Sequence, residues 1–209
     1  MSSRPPEPVI AFKKSVFREY LESIVVAVIL ALFIRTFAVQ AFKIPTGSME
    51  PNLLIGDHLL VNKLVYSPSF GPLEQAVFGK RPIERGHVVV FKFPEDPTRD
   101  FIKRVIGLPG ETIEIRNKQV FVDGKAILEP YAHFIEAPLR PDDPEYSQAG
   151  DGLRDSWGPQ TVPEGQLLVL GDNRDESSDS ATWKDAQTGQ RIYFVKRDQI
   201  KGRLMNVLE

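Results

Sequence analysis

After residue 43 the chain is a succession of short apolar runs, rich in β-branched and aromatic residues and closed by Gly, Pro, Asp or Asn. Runs of this length suit strands and are too short for helices, so residues 58–65, 87–93, 100–106, 111–116, 119–122, 166–170 and 191–196 are predicted strands. Asp123-Gly124, between Val120-Phe121-Val122 and Lys125-Ala126-Ile127, is a two-residue hairpin signal. No long amphipathic helical pattern appears in this region, which predicts a mainly β fold. Residues 137–165, rich in Pro, Asp and Gly, read as a solvated excursion.

One of these strands carries an unexpected side chain. In Asp100-Phe101-Ile102-Lys103-Arg104-Val105-Ile106, alternation puts Lys103 on the same face as Phe101 and Val105. Burial there removes solvation from the ammonium, and Arg104 is expected to add like-charge repulsion. Both effects lower the lysine pKa. Arginine does not deprotonate in proteins, so only Lys103 can act as a base near neutral pH. Upstream, Ile44-Pro45-Thr46-Gly47-Ser48-Met49-Glu50-Pro51 presents a serine in a Gly/Pro-bounded bend. A serine nucleophile needs an adjacent base, and a Ser-Lys pair is one form of that logic.

Composition removes several other chemistries. The 209-residue chain has no cysteine, so thiol nucleophiles, disulfides and cysteine zinc sites are excluded. Its three histidines, His58, His87 and His133, form no HExxH or HxH pattern, and neither a metal nor another cofactor is expected. A formal charge of −2 with scattered basic residues gives no footprint for nucleic acid. His58, in Asp57-His58-Leu59-Leu60-Val61, reads as a strand-surface residue rather than the partner of a serine.

The N-terminal region is read separately. Residues 1–12 are Ser/Pro-rich, and Lys13, Lys14 and Arg18 precede the uncharged run Ile24–Ile34. That run is shorter than the roughly 20 residues a bilayer needs, but a helix over 20–42 suffices if Arg35 snorkels to the far interface. A cleavable signal peptide ending near Thr36-Phe37-Ala38 and a buried soluble helix are the competing readings. Arg35 weighs against the first and the flanking charges against the second, which favours a retained transmembrane anchor. The basic residues Arg4, Lys13, Lys14 and Arg18 place its N-terminus in the cytoplasm and residues 44–209 outside.

Besides the serine bend, three stretches stand out: RGHVVVFKFP at 85–94, FIKRVIGLPGE at 101–111, and VPEGQLLVLGDNRDESSDS at 162–180. With PTGSMEPNLLIGDHLLVNKLVY at 45–66, these four ordered blocks make the chain resemble bacterial signal peptidase I. The resemblance covers nearly its whole length. It implies an N-terminal transmembrane helix, a signal-peptidase-like β catalytic core and a small inserted β subdomain. The expected boundaries are a cytoplasmic tail 1–19, an anchor 20–42, core 43–111, subdomain 112–162 and core 163–209. It also implies a single-pass protein of the bacterial inner membrane that cleaves signal peptides with small residues at −1 and −3.

By the same resemblance Ser48 is the nucleophile and Lys103 the general base. Thr46 matches a hydroxyl residue of the oxyanion hole, and Ser177 a serine that hydrogen-bonds the lysine amine. Asp179 matches an acidic residue bracing its loop, with Arg104 as the expected partner. Glu176, Ala181 and His87 depart from the family pattern, where asparagine, arginine and aspartate are usual. Two other readings remain: a self-cleaving Ser-Lys protease like the SOS repressors, and a non-enzymatic membrane-anchored β module.

Overall fold

The computed structural model describes residues 16–33, 35, 38–63, 82–135, 155–185 and 187–208. The tail before Val16, the end of the run at 58–65 and most of the excursion at 137–165 lie outside the described residues. Met1–Phe37 and Ala38–Glu209 form two compact units.

In the first unit, helix α1 runs over Val16–Phe33, 18 residues with Glu19 in the first turn, where a carboxylate complements the exposed amides. At 1.5 Å per residue it is about 27 Å long, and Arg18, Glu19 and Glu22 occupy its first two turns. Among the described residues no helix is long and apolar enough to cross a membrane. The expected helical span 20–42 is therefore corrected at both ends. The described α-helix covers Val16–Phe33, Arg35 and Ala38 are π-helical, and Val39–Lys43 is strand β1 instead. The reason is pairing: β1 matches β2 (His58–Asn62) antiparallel from Val39↔Asn62 to Lys43↔His58. Phe42 also packs on buried Ile44, Leu59 and Val61.

The second unit is mainly β. Strands β3 (Val88–Lys92), β4 (Asp100–Gly107), β9 (Gln166–Leu170), β10 (Val195–Lys196) and β11 (Ile200–Leu208) join β1 and β2 in a seven-stranded sheet ordered β1-β2-β11-β3-β4-β9-β10. A second sheet, ordered β7-β6-β5-β8, uses β5 (Thr112–Arg116), β6 (Gln119–Val122), β7 (Lys125–Ala126) and β8 (Trp157–Thr161). The hairpin signal is realised: Asp123 and Gly124 have φ of 49° and 75° between β6 and β7, the left-handed pair that a tight hairpin turn needs.

The sheets share a core in which Ile106, Leu168 and Leu170 meet Ile113, Val120 and Trp157. They approach closely at Gly107, where a Cβ would stand 2.8 Å from Ile113 Cγ1 and 2.9 Å from Leu168 Cβ. A second cluster stacks Phe93 on Phe101 at 4.2 Å, with Trp183 edge-on to both. Besides β1, two strands were not predicted. β8 contains Gly158-Pro159, which reads as a turn, and β11 is interrupted by a register shift between Leu204 and Asn206. β11 nevertheless lies between β2 and β3, and Gly202 allows it there: a Cβ would stand 2.4 Å from Asn62 O.

Candidate active site

The serine bend is built by main-chain bonds and two buried anchors. Ile44 N donates to Asp57 O, Gly56 N to Ile44 O and Glu50 N to Gly47 O, all near 3.0 Å. Met49 and Leu53 sink into the core and fix the bend from below. They therefore belong to the interior, whereas Leu54, next in the chain, is exposed. From the other side, Asn173 clasps the bend. Its N donates to Ser48 O at 3.2 Å and its Nδ2 to Gly47 O at 3.3 Å.

Across from the bend, β4 supplies Lys103. Its Nζ lies 2.6 Å from Ser48 Oγ and donates to Ile102 O at 3.1 Å. Residues distant by 55 positions in sequence thus meet at hydrogen-bond distance. The lysine is 3% exposed, and burial pushes its pKa down from 10.5 to about 8, against the opposing pull of Asp179 and Asp172. The expected repulsion from Arg104 is not the cause. Arg104 is bound in a fork to Asp172, Nε to Oδ1 at 2.7 Å and Nη2 to Oδ2 at 2.6 Å, and it donates to Gly86 O.

That fork also corrects the expected partner of Arg104: it is Asp172 and not Asp179. Asp179 accepts from the main chain, Gly171 N at 2.9 Å and Ala181 N at 3.1 Å. The side chain that alanine lacks at 181 is thus replaced, for Asp179, by the residue's own amide. Ser177 departs from expectation as well. Its Oγ is buried and, among the described residues, has no hydrogen-bond partner, so it does not bond the Lys103 amine. It packs against Gly171, where a Cβ would stand 2.1 Å from Ser177 Oγ and 2.5 Å from Ser48 O. Only glycine fits there.

Ser48 and Lys103 open onto a cavity of about 660 Å³. One wall is the bend Ile44–Met49 with exposed Thr46. The other is the stretch Arg99–Lys103, with Phe93, Glu176 and Ser178 completing it. Residues 88–92 do not line the cavity; they form a central strand paired to β4 and β11. β9 pairs with β4 only from Arg104 onward, so Asp100–Lys103 are paired on the β3 side alone. His58 is exposed at the start of β2. Among the described residues no group of three His, Cys, Asp or Glu could hold a metal ion.

Several residues of this region were not foreseen. Asn52 Nδ2 donates to Tyr131 O and to Asp172 Oδ2, tying the serine bend to the polar loop. Behind that loop, Arg174 pairs with Glu129, while Lys118 pairs with Asp175 and Asp155. The dense polar loop GDNRDESSDS was a signal for Asp172 and Asn173. Nothing local marks Lys118 or Glu129, whose partners lie 57 and 45 positions away.

Comparison with known proteins is consistent with this geometry. The profile of the family described as "Signal peptidase, peptidase S26" matches residues 17–208. Among curated relatives, "Signal peptidase I" of Pseudomonas fluorescens is 33% identical over 205 residues, 90% of this chain and 70% of the relative. "Probable signal peptidase I-2" of Synechocystis sp. is 39% identical over 188 residues, 87% of this chain and 68% of the relative. "Signal peptidase I" of Bacillus licheniformis is 34% identical over 190 residues, 87% of this chain and 91% of the relative. A chain whose own profile match spans nearly its full length, and whose relatives align over most of theirs, belongs to the signal peptidase family of S26 peptidases, which are hydrolases.

Proposed function

We propose that this protein is a serine endopeptidase that removes signal peptides from preproteins, with Ser48 as nucleophile and Lys103 as general base. The observation that supports it most directly is the 2.6 Å contact between Ser48 Oγ and a buried amine whose pKa is pushed down to about 8. With the amine neutral, its lone pair takes the hydroxyl proton as Oγ adds to the scissile carbonyl. The oxyanion is received by the Ser48 amide and the Thr46 hydroxyl, a donor of this kind being worth about 3 kcal/mol in the transition state. Protonated Lys103 then gives its proton to the leaving amine as the peptide C–N bond breaks. Water, deprotonated by the same lysine, adds to the acyl-enzyme and releases Ser48.

Asp179 and Arg104 act by position: the first closes the loop through Gly171 and Ala181, and the second holds Asp172 beside the dyad. The substrate is extended, adding main-chain bonds along the one-sided stretch Asp100–Lys103, with small side chains at −1 and −3 entering the cavity. Residues 43–111 and 163–209 are read as the catalytic core and 112–162 as its inserted subdomain. The large apolar side chains of α1 are all exposed, and we read this helix as associating with the surface of the bacterial inner membrane.

The test is cleavage of a preprotein bearing an Ala-x-Ala site by the purified protein. Ser48→Ala and Lys103→Ala should each abolish product, while His58→Ala should retain it. A fully active Lys103→Ala beside a dead His58→Ala would refute the dyad.

A further inference from the structure

We propose that Arg99 is a specificity-determining residue, which pairs with an acidic side chain of the substrate about four positions from the scissile bond. The inference rests on the protease reading above and deepens it. Arg99 lies on the cavity wall just before β4. Its guanidinium carbon is 5.3 Å from the Phe101 ring centroid and 5.8 Å from that of Phe93, two rings stacked on one another and also lining the cavity. The backbone beneath is fixed, with Arg99 N donating to Asp96 O and Phe93 N to Arg99 O.

What this guanidinium lacks is an anion. Among the described residues no carboxylate lies within the 4.0 Å that defines an ion pair with Arg99. Asp96 feels its charge, but Asp96 Oδ1 is engaged by Thr98 N and Oγ1. The adjacent Asp100 is bound to Lys201 at 2.7 Å. The other carboxylate on the wall, Glu176, accepts from Asn173 Nδ2 at 3.1 Å. A planar fork of donors set beside two stacked rings and open to the cavity suits a carboxylate in two-point fashion.

Position sets which substrate residue it meets. Arg99 precedes Lys103 by four residues, about 13 Å of extended chain at roughly 3.3 Å per residue. A substrate strand laid along Asp100–Lys103 has the same rise, so with its scissile carbonyl at Ser48 its fourth or fifth residue lies opposite Arg99. The alternative role for Arg99 is to cover the two rings with its stem and charge, which makes no demand on the substrate.

The experiment compares peptides that share an Ala-x-Ala site and carry Asp or Asn, one at a time, at −5, −4, +4 and +5. For the wild type, kcat/KM should favour Asp over Asn about tenfold at one of these positions, chiefly through KM. Arg99→Gln should bring that ratio to about one, and Arg99→Glu should invert it and favour Lys instead. Equal rates for Asp and Asn at all four positions, or a preference that survives in Arg99→Gln, would overturn the inference while leaving the protease reading intact. No cleavage of the uncharged parent peptide by the wild type would sink both.

Discussion

Lys103 and Lys118 are both buried, at 3% and 8% exposure, yet the fold surrounds them with opposite company. Lys118 lies in the turn between β5 and β6 with its ammonium against Asp175 and 3.4 Å from Asp155, and 5.5 Å from the Phe134 ring. Lys103 touches a hydroxyl, a carbonyl and a ring. The two carboxylates that act on it, Asp179 and Asp172, spend their oxygens on the Gly171 and Ala181 amides and on Arg104. One lysine is therefore a tie between the second sheet and the polar loop. The other is an amine held ready to lose its proton. Burial lowers the Lys103 pKa, and among the described residues no carboxylate touches the amine to offset it.

The contrast is sharpest in a pair of isosteric substitutions. Lys103→Met should lower signal-peptide cleavage by on the order of 10²- to 10⁴-fold while leaving the melting temperature unchanged or higher. It removes a buried amine that has no ion-pair partner. Lys118→Met should cost about 3–5 kcal/mol in denaturant unfolding, because it strands Asp155 and Asp175 in the interior. Equal losses of stability in the two variants would break the comparison.

Titration tests Lys103 itself. Between about pH 8 and 10.5 the unfolded chain holds a proton on Lys103 that the folded chain has released. Stability conferred by this residue, taken as wild type minus Lys103→Met, should therefore rise with pH across that window. At about 1.4 kcal/mol per pH unit the total is on the order of 3 kcal/mol. A difference that stays constant or falls from pH 8 to 10.5 would contradict the lowered pKa.

Smaller effects probe the packing around Lys103. Gly171→Ala drives a methyl into Ser177 Oγ and Ser48 O, and should cost about 1–3 kcal/mol together with much of the cleavage rate. Ser177→Ala removes a hydroxyl that has no partner, so its unfolding free energy should stay within about 0.5 kcal/mol of wild type. A loss above 1 kcal/mol would show that this hydroxyl is bonded in the folded protein.

The order of these effects follows what local sequence can and cannot encode. Lys103 was legible because a charged residue in an apolar, β-branched strand breaks the pattern, and Ser48 because Gly and Pro frame it. The β6–β7 hairpin was legible because Asp-Gly suits the two positive φ values. The N-terminal boundary was not: Val39, Ala41 and Phe42 extend the apolar character of the segment before them, and pairing with β2 makes these residues a strand. Nor was β11, whose place in the sheet depends on a glycine passing over Asn62 O. The partner exchange at Arg104 also lay beyond reach. Asp172 and Asp179 sit in one loop with similar neighbours, and only the fold decides which carboxylate turns toward the guanidinium.

The pH dependence of kcat/KM for cleavage of a preprotein peptide tests the dyad most directly, since it reports ionisation of the free enzyme. The account predicts a single limb rising with pH through about 8, and no activity at any pH when Lys103→Arg replaces the amine with a group that does not deprotonate. A profile flat from pH 6 to 10, or cleavage that survives in Lys103→Arg but is lost in His58→Ala, would contradict it.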